Sequence, residues 1–210
     1  MLYAADMKWW VHHKDEALKF AGEVLTSDQI KDIMRRARAP VAQASGLAAQ
    51  ASGLTFFPNQ SYSDPKYREL LQNFKFRQVL SQSIDRDTIN EILWLGTGVP
   101  ATISVVRDSA LYQADIANVY GDYDVGLVKS LLDEIGLPVG ANGLRTFADG
   151  SPLQLVIESS YTSGSLYDGI EMVAEWWRAV GLDTRVETMS RDVYWPKACA
   201  NEVMIATWTT

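Results

Sequence analysis

An α/β fold, a mixed sheet with flanking helices plus a helical N-terminal segment, is what this sequence predicts. Three observations predict it. From Leu153 to Trp208 strand-like runs alternate with helical ones, and between Pro65 and Gly136 capped amphipathic helices follow one another. Apolar residues fill 47% of the 210 positions, enough for one substantial core or two small ones. Strand-helix-strand order sets strands side by side with right-handed crossover helices on the sheet's face.

The first element is helical. "DEALKFAGEVLTSDQIKDIMRRARAPVAQ" spaces Leu18, Val24, Leu25, Ile30, Ile33 and Met34 as helices do, with Thr26 or Ser27 as a cap, and Pro40 stops the second of two helices. "QASGLAAQASGL" then repeats Gln-Ala-Ser-Gly-Leu after seven residues. It is small, uncharged and glycine-bearing, which reads as a linker. The boundary therefore falls between residues 1–53, a helical segment with its linker, and residues 54–210.

"LTFFPN" is a short strand ended by Pro58 and Asn59, and Ser63 or Asp64 caps the helix that Pro65 opens. The stretch Phe74 to Ile84 puts Phe76, Val79, Leu80 and Ile84 on one helical face. Asp85 caps the next helix, where Ile89, Ile92 and Leu93 continue the pattern until Gly96. Asp85, Arg86 and Asp87 stand at a helix start, so they read as cap and dipole partners rather than an acid-base cluster. Asp124 caps a further helix with Leu127, Val128, Leu131, Leu132 and Ile135 as its buried stripe, stopped by Gly136 and Pro138.

Turn pairs Asn142-Gly143 and Asp149-Gly150 predict a hairpin. After it come strand Leu153 to Glu158, a polar loop Ser159 to Ser165, helix Leu166 to Val180, strand Thr184 to Thr188, helix Arg191 to Ala200 and strand Glu202 to Trp208. Trp176 and Trp177 are neighbours, about 100° apart around a helix. Trp177 shares a face with Ile170, Val173, Ala174 and Val180 and goes to the core; Trp176 turns outward.

Charge and motifs narrow the function. The formal charge is -7, with the acidic excess after Gln50, and phosphate contact needs clustered Lys and Arg, so no nucleic-acid surface is expected. No apolar run approaches the roughly 20 residues of a membrane span, and "MLYAADMKWW" lacks a basic region followed by an apolar one. No membrane insertion and no export signal are therefore expected in this chain. The single Cys199 makes no internal disulfide. No nucleophile elbow, phosphate loop or dinucleotide fingerprint occurs, so no enzyme, no catalytic residue and no cofactor are expected. His12 with Glu16 is the best metal-like spacing, but the adjacent His12 and His13 point apart on a helix, and no metal site is expected.

Five segments together are more specific. "FKFRQVLSQSIDRDTINEILWLGTGVPA", "YDVGLVKSLLDEIGL", "ANGLRTFADGSPLQLVIE", "VAEWWRAVGLDTRVE" and "EVMIATWTT" resemble, in order and spacing, the bacterial extracellular solute-binding proteins of the dipeptide/oligopeptide class, family 5. The resemblance covers about Leu54 to Thr210. "YAADMKWW" and "ALKFAGEV" resemble stretches of the family's first lobe, which would make residues 1–53 a remnant of it.

The resemblance implies a periplasmic-binding-protein type II-like lobe, one half of a two-lobed clamp. It implies the extracytoplasmic component of an ABC importer, periplasmic or at the cell surface, that captures a peptide-like or oligosaccharide solute between two lobes and delivers it to a permease. Family members continue past the Trp of the last segment, so residues 54–210 would be a solute-binding lobe incomplete at its C-terminus. Its partner would be the missing first lobe or a second copy in a homodimer. Ligands of open α/β sheets lie beyond the carboxyl ends of strands. That placement makes Trp208, with Tyr161 and Ser163 of the polar loop, the candidate ligand-binding residues, and Asn59 joins them at the exit of the hinge strand. Where peptide binders often carry an acid after this Trp, Thr209 stands here. The alternative reading is a truncated, non-binding lobe that self-associates through its bared cleft face as an interaction protein.

Overall fold

Four strands hydrogen-bond into one mixed sheet in the computed structural model, which describes residues 54–102, 112–117 and 119–209. In chain order they are β1 (Leu54–Pro58), β2 (Gln154–Ser159), β3 (Asp183–Thr188) and β4 (Ile205–Thr209), arranged β1-β4-β2-β3. β2 runs parallel to β3, from Gln154 opposite Asp183 to Ser159 opposite Thr188. It is also parallel to β4, with Ile157 opposite Ile205 and Glu158 opposite Ala206. β1 is antiparallel to β4, from Leu54 opposite Thr209 to Pro58 opposite Ile205. The three parallel strands thus end on one edge, and β4, which starts level with Ile157, carries Trp208 past the last residue of β2.

The helices are α1 (Pro65–Gln72), α2 (Phe74–Gln82), α3 (Arg86–Trp94), the short α4 (Ala114–Ala117), α5 (Val125–Glu134), α6 (Gly164–Ala179) and α7 (Arg191–Cys199). Their starts follow local chemistry. The Asp64 carboxylate accepts from the Lys66 and Tyr67 amides, with Pro65 at the first helical position. Asn73 ends α1 and caps α2 by accepting from the Lys75 and Phe76 amides. Asp85 accepts from the Thr88 amide at 3.0 Å, and Asp124 from the Leu127 amide at 2.9 Å. α2 stops before Ile84, where the Ser83 hydroxyl turns back to the Val79 carbonyl at 2.7 Å. α3 ends on Leu95 at φ 52° followed by Gly96 at φ 69°, so the strained left-handed position falls on a leucine and the relaxed one on the glycine.

The core lies between the sheet and α6. Ile170, Val173, Ala174 and Trp177 of α6 are buried with Leu155, Ile157 and Ile205 of the sheet, Phe76, Val79 and Leu80 of α2, and Val128, Leu131 and Leu132 of α5. Burying each such large side chain contributes about 1.5–3 kcal/mol. Gly169 lets α6 come close: a Cβ there would sit 2.9 Å from Leu54 Cδ2 and 3.0 Å from Leu93 Cδ1. Trp177 is buried and Trp176 half-buried, as their adjacency predicts.

Three expectations are corrected. Ile92 is 59% exposed and Leu127 38% exposed. Each sits on the flank of its stripe, about 60° from Ile89 and about 100° from Val128, and the covered face is narrower than the apolar pattern. The expected hairpin is reduced to single bridges, Val139 with Arg145 and Thr146 with Pro152. One of its amides turns outward, the Arg145 N–H bonding the Gly181 carbonyl at 2.7 Å. The N-terminal helices, the linker up to Gly53, and His12, His13 and Glu16 lie outside the described residues. Among the described residues no helix is long and apolar enough to cross a membrane.

Candidate functional site

At the carboxyl edge of the parallel strands, Ser159 ties three segments together. Its buried hydroxyl lies 2.8 Å from the Thr207 hydroxyl, which donates to it, and accepts from the Tyr161 amide at 3.0 Å. Its carbonyl accepts from the Met189 amide at 3.0 Å. A small hydroxyl residue here joins the loop after β2, the loop after β3, and β4. Tyr161 then packs half-buried on the core, and Ser163 stands exposed at the start of α6 without a side-chain capping bond.

Trp208 reaches this edge from β4 and is half-buried. Beside it lies α7, held down by Tyr194, whose buried hydroxyl donates to the Thr207 carbonyl at 3.3 Å. Burial pushes the Tyr194 phenol up from its ordinary pKa. Trp195, next in the helix, points about 100° away. It is 54% exposed, and its ring centre lies 5.7 Å from that of Trp208 at 46°. One turn earlier, the Arg191 guanidinium carbon sits 5.2 Å from the Trp208 ring centre. Two indoles and a guanidinium therefore share the edge.

Trp195 and Arg191 escaped the sequence reading. The signal for Trp195 was present in the pair Tyr194-Trp195, which obeys the rule already applied to Trp176-Trp177: adjacent aromatics on a helix cannot share one face. For Arg191 no sequence signal existed, because its partner is seventeen residues downstream and reached only through the sheet.

Glu158 sits just inside the edge. It is buried, pairs with the Lys197 ammonium and accepts from the Met204 amide at 3.0 Å. The bond to Glu158 holds the Lys197 ammonium above its ordinary pKa. This carboxylate is satisfied within the fold.

Asn59 is not brought to this group. β1 is antiparallel to β4, so Thr55 lies opposite Trp208 and Asn59 is four residues further on, about 13 Å along the strand. There its amide donates to the Met204 carbonyl at 2.9 Å, and its side chain donates to the Val203 carbonyl at 2.8 Å and to Asn201 Oδ1 at 2.9 Å. The structure thus collects Trp208, Tyr161 and Ser163 at one edge and Asn59 at the other.

The Asp85 corner is structural. Asp85 holds the Thr88 amide and hydroxyl, while Arg86 donates to the Ser81 and Gly121 carbonyls at 2.8 and 3.1 Å. A cavity of about 410 Å³ opens beside them, lined also by Pro100, Asp122 and Tyr123. Among the described residues no group of three or more His, Cys, Asp or Glu is placed to hold a metal ion.

Residues 15–209 match the family model described as bacterial extracellular solute-binding proteins, family 5 Middle. The chain belongs to this family. Solved structures agree in fold. The oligopeptide-binding protein OppA is 30% identical with a TM-score of 0.72, over 76% of this chain and 25% of OppA. A periplasmic oligopeptide-binding protein of Thermotoga maritima, solved with mannohexaose bound, is 22% identical with a TM-score of 0.64, over 76% of this chain and 30% of its own. AppA of Bacillus subtilis, in complex with a nonapeptide, is 18% identical with a TM-score of 0.61, over 76% and 31%. This family 5 chain thus spans between a quarter and a third of the length of these structures. No curated protein sequence matches it. Its mixed sheet with flanking helices is the type II periplasmic-binding-protein arrangement, and its family is one of solute-binding proteins of ABC importers.

Proposed function

We propose that this family 5 chain contributes a solute-contacting lobe to an extracytoplasmic receptor, periplasmic or at the cell surface. The receptor closes two lobes over a peptide-like or oligosaccharide solute and delivers it to an ABC permease. The observation that carries the reading is Trp208, set past the carboxyl end of β2 with a second indole 5.7 Å away. Open α/β sheets bind ligands at such edges, and indole faces stack on sugars and apolar side chains alike. OppA, the mannohexaose complex and the nonapeptide complex support both solute classes.

In this reading Trp208 and Tyr161 supply stacking surface and Ser163 a hydroxyl to the solute. Asn59 fastens the turn after β1 instead. The role is binding rather than catalysis. Because this chain spans 25% of OppA, the rest of the cleft is assigned to a first lobe and not to a second copy of this chain. A family match that begins at residue 15 supports reading residues 15–53 as part of the family's own sequence rather than an unrelated extension.

Nitrogen-proton correlation spectra of the labelled chain test the proposal, with trialanine and maltohexaose titrated to millimolar concentration. Shifts should gather at residues 159–163 and at the Trp195 and Trp208 indoles. Shifts confined to the Asn59 turn, or none at the carboxyl edge with either probe, would sink it.

A further inference from the structure

Resting on that reading of the carboxyl edge, we infer that the solute offers a carboxylate to Arg191 next to a ring or apolar group laid on Trp208 and Trp195. The exposed Arg191 guanidinium carbon lies 5.2 Å from the Trp208 ring centre, and a guanidinium held against a ring by its face keeps its in-plane N–H donors for another group. Among the described residues no carboxylate stands within ion-pair distance of it. Glu158 is taken by Lys197, and Glu187 lies 2.9 Å from Arg185. Asp192, the nearest acid in sequence, is exposed and about 100° further round α7.

Arginine keeps its charge at any working pH, and closure over the edge strips water from its donors. A buried cation without a counter-charge is costly. A solute carboxylate meets the fork with two parallel hydrogen bonds, which no amide or hydroxyl matches. The adjacent indoles, tilted 46° and 5.7 Å apart, form an apolar step beside that anion site. Charge and shape together select a small acid with a flat or apolar neighbour to its carboxylate. An uncharged sugar or an amidated peptide leaves Arg191 unanswered.

The test compares N-acetylphenylalanine with N-acetylphenylalaninamide, which differ only in the carboxylate, on the isotope-labelled 210-residue chain. The Trp195 and Trp208 indole N–H signals are the readout. The acid should bind about tenfold more tightly than the amide, as one charge-assisted contact implies. Added salt should weaken the acid alone. Arg191→Gln should remove the preference while leaving amide binding and the rest of the spectrum unchanged. Equal binding of both probes at the edge, or a preference that survives Arg191→Gln, overturns the carboxylate inference and leaves the edge standing. Failure of both probes to move either indole overturns the edge reading and this inference with it.

Discussion

Trp177 on α6 donates its indole N–H to the backbone carbonyl of Leu80 on α2 at 3.1 Å, joining elements 97 residues apart. The same ring meets Phe56 of β1 edge-on at 5.7 Å, so one side chain links the crossover helix, the α2 helix and the outer strand. Trp177→Phe keeps most of the volume but removes the donor. It should cost about 1–2 kcal/mol, whereas Trp177→Ala, which also opens a cavity, should cost about 3–5 kcal/mol. Urea midpoints with an unchanged slope would check both values.

How much of this was legible depended on distance along the chain. Asp64, Asp85 and Asp124 announced their helices because a cap and its amides lie within three residues of one another. The unequal burial of Trp176 and Trp177 was equally local. Ile92 and Leu127 misled because helical spacing says which side is apolar but not how wide a neighbour covers it. The antiparallel pairing of β1 with β4 had no local sign: "LTFFP" and "IATWT" name no partners, and that pairing is what sends Asn59 and Trp208 to opposite edges. The edge group is half legible for the same reason. Trp208 was marked by its segment, while Arg191 reaches it only through the fold.

Lys197 and Glu158 should respond unequally to substitution. Glu158 is buried and its carboxylate also holds the Met204 amide, whereas the Lys197 side chain retains access to water. Lys197→Met strands a buried anion and should cost about 3 kcal/mol. Glu158→Gln keeps an acceptor for the Met204 amide and lets the ammonium turn to solvent, so it should cost less, about 1–2 kcal/mol. Chemical denaturation of the two variants side by side checks the order, and a larger loss in Glu158→Gln would contradict it.

Asp149 links acidity to stability. The Lys66 ammonium, 2.7 Å away, is the main cause holding its carboxyl well below the ordinary range, followed by the Ser151 amide at 3.0 Å. A depressed folded pKa means stability that is present above the unfolded value of about 3.9 and lost as pH falls below it toward the folded value. Asp149→Asn should therefore be less stable than the parent at pH 6, and the gap should close as pH is lowered through 4 to 2. The site is exposed, so salt should narrow the gap as well. Thermal midpoints across that pH range measure it, and a constant gap would rule the Asp149 contact out as its source.

Binding by this chain alone should be weak. A solute in a closed cleft loses about 70–90% of its exposed surface, and the Trp208 edge covers it from one side. If about 4 kcal/mol of contact belongs to the other lobe, a micromolar receptor becomes a millimolar one, since every 1.4 kcal/mol is tenfold. Seven tryptophans contribute to the emission, so the response must be isolated as the difference between the parent chain and Trp208→Phe. That difference should saturate only at millimolar oligopeptide or oligosaccharide, and calorimetry at micromolar concentrations should register no heat of binding. A micromolar constant measured on monomeric chain would mean that the edge binds without a second lobe, and the two-lobed account would have to be abandoned.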